Sequence, residues 1–236
     1  MKEDLFLEVN SVCKGFGKGS NRVEVLKKIS FSIKKGEFAL LLGPSGSGKS
    51  TLLHIIGGID FVDDGYIFVE GQKIKEMSKK ALLHYRRSYL GYLFQQYNLI
   101  PNLTVKENIE VGAYLSKNPF PVNTILNRLG LYEHRNKLPN QLSGGQQQRT
   151  SLGRAIVKNP QLLLCDEPTG ALDYHTSKEI LKLLQELNQE YSTTIVMVTH
   201  NNAIEKMSDH ILMMHDGSVG KDYYNSSKID ATLLEW

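Results

Sequence analysis

The sequence predicts an α/β fold: a parallel sheet, preceded by partly antiparallel sheet and interrupted by a helical insertion. Three observations carry this. The apolar run Phe38-Ala39-Leu40-Leu41-Leu42 leads directly into Gly43-Pro44-Ser45-Gly46-Ser47-Gly48-Lys49-Ser50-Thr51, which fits G-x-x-x-x-G-K-[ST] at every fixed position. Two later runs, 162–165 and 194–198, are apolar without alternation, as strands covered on both faces are. Between them Ile180, Leu183, Leu184 and Leu187 recur at i, i+3, i+4 and i+7, the stripe of a core-facing helix. Strand, helix and strand downstream of a phosphate loop imply a parallel α/β core.

Residues 5–12 alternate, with Leu5, Leu7 and Val9 on one face, and 29–33 alternate before ending at Lys35-Gly36. Both read as half-exposed antiparallel strands. Tyr66-Ile67-Phe68-Val69, entered through Asp64-Gly65, reads as another strand. The residues from Ser50 to Ile56 begin a helix. The stretch 98–158 is mostly helical by pattern, with Pro121 as a helix start and Gly130 as a stop. It reads as a subdomain inserted into the α/β core. The segment 220–236 is polar with a small apolar end at Leu233, Leu234 and Trp236, and is either a docking tail or a short terminal helix. No internal repeat or low-complexity tract is present.

A chain of 236 residues, 41% hydrophobic, suits one large domain or a domain with a subdomain. The net charge of +3 gives no strong field for nucleic acid, so no nucleic-acid partner is expected. Lys34-Lys35 and Lys79-Lys80 read as solvated surface. Cys13 and Cys165 are too far apart in sequence to form a CxxC site or a disulfide framework, and Cys165 falls inside an apolar strand. Met1-Lys2-Glu3-Asp4 carries no apolar signal core, and no run approaches the roughly 20 apolar residues needed to cross a bilayer. If the chain works at a membrane, another polypeptide is expected to hold it there.

The motifs specify chemistry. Glycines let the backbone of residues 43–51 wrap a phosphate chain with its N–H groups inward, and the helix N-terminus adds unpaired donors. Lys49 can reach the β- and γ-phosphates and the Ser50 hydroxyl can ligate Mg²⁺. Leu162-Leu163-Leu164-Cys165-Asp166-Glu167 is an apolar strand ending in two acids. Alone it could be an exposed acidic turn; beside a phosphate loop its expected partner is Mg²⁺ with its water shell, Asp166 serving the metal and Glu167 the attacking water. Leu142-Ser143-Gly144-Gly145-Gln146-Gln147-Gln148-Arg149 opens a helix running through Leu152, Ala155 and Ile156. It is either a flexible loop capped by Ser143 or a second anion site.

The combination resembles the ATP-binding cassette (ABC) ATPases, whose LSGGQ signature stands here as Leu142 to Gln146. The resemblance runs over about 6–217, with six motifs in the family's order. It implies a P-loop NTPase fold with an ABC-type ATPase core: a mixed sheet with an N-terminal antiparallel β part, at about 1–94 and 159–236, plus an inserted helical subdomain at about 95–158. It implies ATP and Mg²⁺ as cofactors, with a homodimer in which each ATP lies between the phosphate loop of one copy and the signature of the other. Ser143, Gly144, Gly145 and Gln146 would then bind the neighbour's ATP. Phe16 stands at the adenine-stacking position, usually Tyr, where a π face suffices. Gln95, after Tyr92-Leu93-Phe94, matches the glutamine that touches Mg²⁺ and the attacking water. Asp173, in Ala171-Leu172-Asp173, matches the loop that crosses the dimer interface. His200, after Val198-Thr199, matches the histidine that contacts the γ-phosphate; the other six histidines match no motif. Two departures are Gly153, where alanine is commoner and which is expected to loosen its helix, and Cys165, which replaces an aliphatic residue.

Local wording narrows the resemblance. Val9-Asn10-Ser11-Val12-Cys13-Lys14-Gly15-Phe16-Gly17, Phe94-Gln95-Gln96-Tyr97-Asn98-Leu99-Ile100-Pro101 with Leu103-Thr104-Val105-Lys106-Glu107-Asn108, and Thr169-Gly170-Ala171-Leu172-Asp173 are similar to the lipoprotein-release, macrolide-efflux, bacitracin-resistance and FtsE-like group. That implies peripheral attachment at the cytoplasmic face of the cell membrane. It implies an integral-membrane permease with few transmembrane helices and a large extracytoplasmic domain, and in some members an accessory extracytoplasmic adaptor. Export or force transmission is the implied role, with FtsE-like signalling across the membrane as the alternative. Tyr97, Leu99, Ile100, Leu103 and Val105 are the expected contacts for the permease. A DNA-repair ATPase would need a long coiled coil between phosphate loop and signature, and no sustained heptads are present.

Overall fold

The computed structural model describes residues 5–235. The readings made on residues 1–4 and on Trp236 lie outside them. The strands and helices in chain order are β1 (Leu5–Phe16), β2 (Val23–Lys34), β3 (Phe38–Leu42), α1 (Lys49–Ile56), β4 (Asp64–Val69), β5 (Gln72–Lys73), α2 (Lys79–His84), β6 (Leu90–Leu93), α3 (Val105–Ala113), α4 (Val122–Arg128), α5 (Gly144–Ile156), β7 (Leu162–Asp166), α6 (Tyr174–Tyr191), β8 (Thr194–Thr199), β9 (His210–His215) and β10 (Ser218–Tyr224). Short 3-10 turns link several of them.

One sheet has the order β2-β1-β4-β5 and is antiparallel. The second has the order β10-β9-β3-β8-β7-β6, parallel except for the edge pair β9–β10. The central strands are buried along their length, and period-two geometry splits their side chains between two cores. Ala39 and Leu41 of β3 join Leu52, Leu53 and the antiparallel sheet. Phe38, Leu40 and Leu42 face α5, α6 and the other helices of the second core. Continuous apolar runs are therefore two interleaved faces, each with its own partner.

Some expectations are revised. Leu5 is 38% exposed whereas Phe6 is 2% exposed, because a register irregularity between Leu5 and Leu7 in the β1–β2 pairing breaks the alternation at the strand start. In α6, Leu181 is fully buried and Leu183 only packs at the margin, so the stripe is Ile180, Leu181, Leu184 and Leu187. Gly153 does not loosen α5. A Cβ there would lie 2.8 Å from Leu129 and 2.9 Å from Ile109, so the glycine is what lets α5 pack closely on α3 and the α4 end. Pro121 does cap α4, and Gly130 takes the left-handed conformation (φ +64°) just after it.

The C-terminal segment resolves the choice left open by sequence. It pairs as β10 on β9, then returns so that Ala231 and Leu234 are fully buried beside α6. Gln185 of α6 donates to Ile229 O at 3.2 Å and accepts from Ala231 N at 2.9 Å. Leu233 points outward at 65% exposure.

One buried histidine ties this edge to the core. His210 is 1% exposed; its Nε2 lies 2.7 Å from Asp222 of β10 and its ring stacks on Tyr224 at 4.3 Å. Nδ1 is 3.3 Å from Glu37 Oε1, off the hydrogen-bonding direction, so that approach is an electrostatic contact. Burial pulls the imidazole pKa down, but Glu37 and Asp222 more than offset it and hold it above its usual value.

Two outcomes follow. Leu41→Ala should lower the unfolding free energy by about 2–5 kcal/mol in chemical denaturation, since it opens a cavity at a fully buried position. The protonated His210 is favoured by folding, so its stabilisation is complete below the unfolded pKa and is lost as pH rises through the folded one. The stability gap between the wild type and His210→Gln should therefore shrink from pH 6 towards pH 9 (on the order of three units spanning the usual histidine value).

Candidate functional site

The loop between β3 and α1 forms one wall of an open cleft of about 530 Å³ lined by Phe16, Val25, Ser45, Gly46, Gly48, Lys49, Ser50, Thr51, Gln95, Glu167 and His200. Gly48 occupies the N-cap of α1 with φ +95°, a left-handed conformation only glycine adopts easily, and no side chain caps the helix. The first-turn N–H groups of α1 are thus open to an anion. Gly43 and Pro44 stand back from the opening. Their carbonyls accept from Lys49 Nζ at 2.7 and 2.8 Å, which curls the loop around its own lysine. Ser47 is buried within the loop, its N–H donating to Pro44 O at 3.3 Å and its Oγ lacking a partner.

The opposite wall comes from the strand ends. Asp166 closes β7 and accepts from Ser50 Oγ at 2.8 Å. Glu167 follows with φ +46°, a strained conformation for a glutamate. Its N–H donates to Val198 O at 3.0 Å, and its Oε1 lies 3.0 Å from His200 Nδ1. Glu167 Oε2 is buried and has no partner. His200 is exposed at the end of β8.

The charges are poised. Burial lowers the Lys49 pKa, with Glu167 and Asp166 opposing the shift. Burial also pushes the Asp166 carboxyl up, and the Ser50 hydrogen bond only partly offsets it. A buried lysine and two acids around one cleft can bind phosphate groups with a cation and hold a water between them. The donor set suits a hard cation: a hydroxyl at Ser50, a carboxylate at Asp166 and an amide at Gln95 are all oxygen ligands. Among the described residues no cluster of three or more His, Cys, Asp or Glu could hold a metal by itself.

The third motif is elsewhere. Ser143 is the N-cap of α5, accepting from Gln146 N at 3.3 Å, while Gln146 Oε1 accepts from Ser143 N at 3.0 Å, a complete capping box. Gln146 Nε2 also lies 3.0 Å from His134 Nε2. Gly144 and Gly145 form the first turn, and Gly145 abuts Thr176, whose N–H and hydroxyl are held by Asp173 at 3.0 and 2.7 Å. Asp173 is thereby the N-cap of α6. Ser143 to Gln146 and Asp173 cluster with each other and do not line the cleft.

The contacts expected for a permease are unevenly placed. Ile100 is 39% exposed, and Tyr97, Leu99 and Leu103 are half-buried. Val105 is fully buried and belongs to the core, because it opens α3 facing inward. Sequence reasoning also missed a groove beside this segment, lined by Ile59, Tyr92, Phe94 and Leu115 together with Arg86 and Lys158. Its residues come from five separated stretches, so no local pattern marks it. Val25 on the cleft wall was missed for a similar reason.

The family model described as "ABC transporter" matches residues 26–170. A putative ABC transporter ATP-binding protein of Mycoplasma pneumoniae is 46% identical over 99% of this chain, which spans 51% of that relative's length. The bacitracin export ATP-binding protein of Halalkalibacterium halodurans is 40% identical over 97% of this chain and 92% of its own. Among solved structures, a dimeric ATP-binding cassette in a post-hydrolysis state bound to ADP and phosphate superposes with a TM-score of 0.85 at 36% identity, covering 92% of this chain and 98% of that one.

A ligand-free prediction follows from Asp166. Folding raises its pKa, so its charged form costs stability at neutral pH and that cost disappears as pH falls below the unfolded carboxyl value. Asp166→Asn, which can still accept from Ser50, should be more stable than the wild type at pH 7. The advantage should vanish near pH 3, roughly a unit below the usual aspartate pKa, in denaturant titrations.

Proposed function

The chain belongs to the ABC transporter family, and on that premise we propose that it is the ATP-hydrolysing domain of a membrane exporter. The observation that carries the reading is the convergence of Lys49, Ser50, Gln95, Glu167 and His200 on one cleft, with Glu167 and His200 paired at 3.0 Å. The reaction is ATP + H₂O to ADP + phosphate. Lys49 and the N–H groups of residues 45–51 bind the β- and γ-phosphates, and Phe16 stacks on adenine. Glu167 accepts a hydrogen bond from the attacking water, an assignment favoured by its unpartnered Oε2. His200 orients Glu167 and contacts the γ-phosphate. Ser50, Asp166 and Gln95 are the residues that would hold Mg²⁺, which when bound neutralises charge on the phosphates. Catalysis here is positioning and electrostatics.

The signature cluster supports a two-copy site. Ser143, Gly144, Gly145, Gln146 and Asp173 lie outside the cleft of their own chain, so a second copy packed head to tail would present them to the γ-phosphate there. In this reading residues of about 1–94 and 159–236 form the nucleotide core and about 95–158 the arm that carries the signature. The groove beside Phe94, Ile59 and Leu115 seats the permease. Among the described residues no helix is long and apolar enough to cross a membrane, which fits a peripheral domain held at the cytoplasmic face by that partner. The similarity to a bacitracin export protein favours an antimicrobial-peptide exporter; the partner in this reading is a permease with few transmembrane helices and a large extracytoplasmic domain.

Glu167→Gln should bind ATP, accumulate as a dimer in size-exclusion chromatography with ATP, and lose turnover by about 10²-fold or more, as for loss of a general base. Wild-type turnover in that variant would remove Glu167 from the role. Lys49→Ala should weaken nucleotide binding by isothermal titration; unchanged affinity would count against the loop. Affinity purification of Glu167→Gln with ATP from solubilised membranes should recover a few-helix permease, and recovery of a many-helix one would overturn the exporter branch.

A further inference from the structure

Lys14 sits two residues before Phe16 on β1, a spacing that puts both side chains on one face of the strand. It is only 8% exposed, unusual for a lysine unless it is paired. Its ammonium donates to Asp60 Oδ1 at 2.7 Å and to Phe61 O at 2.8 Å, and lies 4.0 Å from Asp63. The same ammonium stands over the Phe16 ring, 5.1 Å from its centroid. Asp63 in turn accepts from Gly15 N at 2.8 Å and from Arg22 at 2.7 Å, so the backbone between Lys14 and Phe16 is clamped as well. Burial pushes the Asp60 carboxyl up, but the hydrogen bonds from Lys14 and the Phe61 N–H, together with the charges of Lys14 and His54, outweigh it and hold the group below its usual value.

Phe16 itself is 48% exposed and lines the cleft. A half-exposed aromatic with no other constraint samples several rotamers, and a ligand that stacks on it must freeze them. Lys14 stands over one face of a ring that lines the cleft, and a base stacking there has the opposite face to meet. We infer that Lys14 is a positioning residue for the purine base: its fixed ammonium orients the Phe16 ring with the free face ready to stack on adenine. The cation also draws electron density towards its own side, which reduces repulsion between the far face and a second π-system. The inference rests on Phe16 being the adenine platform. It concerns base affinity alone, because the two cations Lys14 and Arg22 are balanced by Asp60 and Asp63 and leave little net field at the phosphates.

The test compares ATP with tripolyphosphate, which has the phosphates and lacks the base, by isothermal titration on the whole chain. The variant is Lys14→Met with Asp60→Asn, which removes one charge of each sign. ATP binding should weaken about three- to tenfold, the range of a partly shielded cation–π contact, while tripolyphosphate binding stays as in the wild type. Unchanged ATP affinity would overturn the inference, as would equal weakening of both ligands, which would mean that Lys14 serves the loop or the phosphates. Phe16→Ala is run in parallel: if it leaves ATP affinity untouched, the adenine platform itself is refuted, separately from the role of Lys14. Should the double variant lose the fold, Lys14→Gln keeps a donor for Asp60 without the cation, and the same split between ATP and tripolyphosphate decides.

Discussion

The parallel register of β3, β8 and β7 is the constraint on which the rest of the molecule depends. Leu41 lies opposite Val198, and Val198 opposite Asp166, so three strands end side by side. The loop, the two acids and the histidine all emerge from those ends. Period-two geometry makes the arrangement intolerant of error: a slip of one residue in β7 would carry Asp166 to the other sheet face and bring Cys165 to its place. The two cores enforce the register from both sides, since each alternate residue of β3 has a different partner layer.

Within that frame the cleft holds groups that folding alone would not choose. A buried Lys49 satisfied by two carbonyls, a buried Asp166 satisfied by one hydroxyl and a strained Glu167 all oppose stability in the free chain. Their common feature is a shortage of partners that a polyphosphate with its cation would supply. His210 differs: it is buried too, but its Nε2 is paired with Asp222, Glu37 stands beside its Nδ1 and Tyr224 stacks on its ring, so it serves to join β9 to the edge strand.

Much of this was legible in the sequence because it is local. The phosphate loop, the cap at Ser143 and the strand that ends in Asp166-Glu167 are specified by neighbours within a few residues. The unread features are those that depend on distant chain. Gly153 looked like a weak point in a helix until Leu129 and Ile109 were seen against it. Val105 looked like a docking contact because an apolar residue in a surface segment carries no mark of which way its helix will turn. The C-terminal segment is short and polar, and only Gln185 of α6, some forty residues earlier, explains why Ala231 and Leu234 go inside. Lys14 was visible as a residue and invisible as an interaction, since Asp60 and Asp63 lie across a different strand connection.

The capping box at the start of α5 has a consequence for timing. Ser143 and Gln146 satisfy each other's backbone N–H groups without outside help. The box presets the shape of this helix end, yet it leaves the first-turn N–H groups of Gly144 and Gly145 outside its bonds. An anion meeting those two donors would displace nothing, whereas one that also drew on Ser143 Oγ or Gln146 N–H would trade one hydrogen bond for another at small net gain. Contacts that rest partly on such exchange would form and dissolve readily, on a helix end whose shape is fixed beforehand.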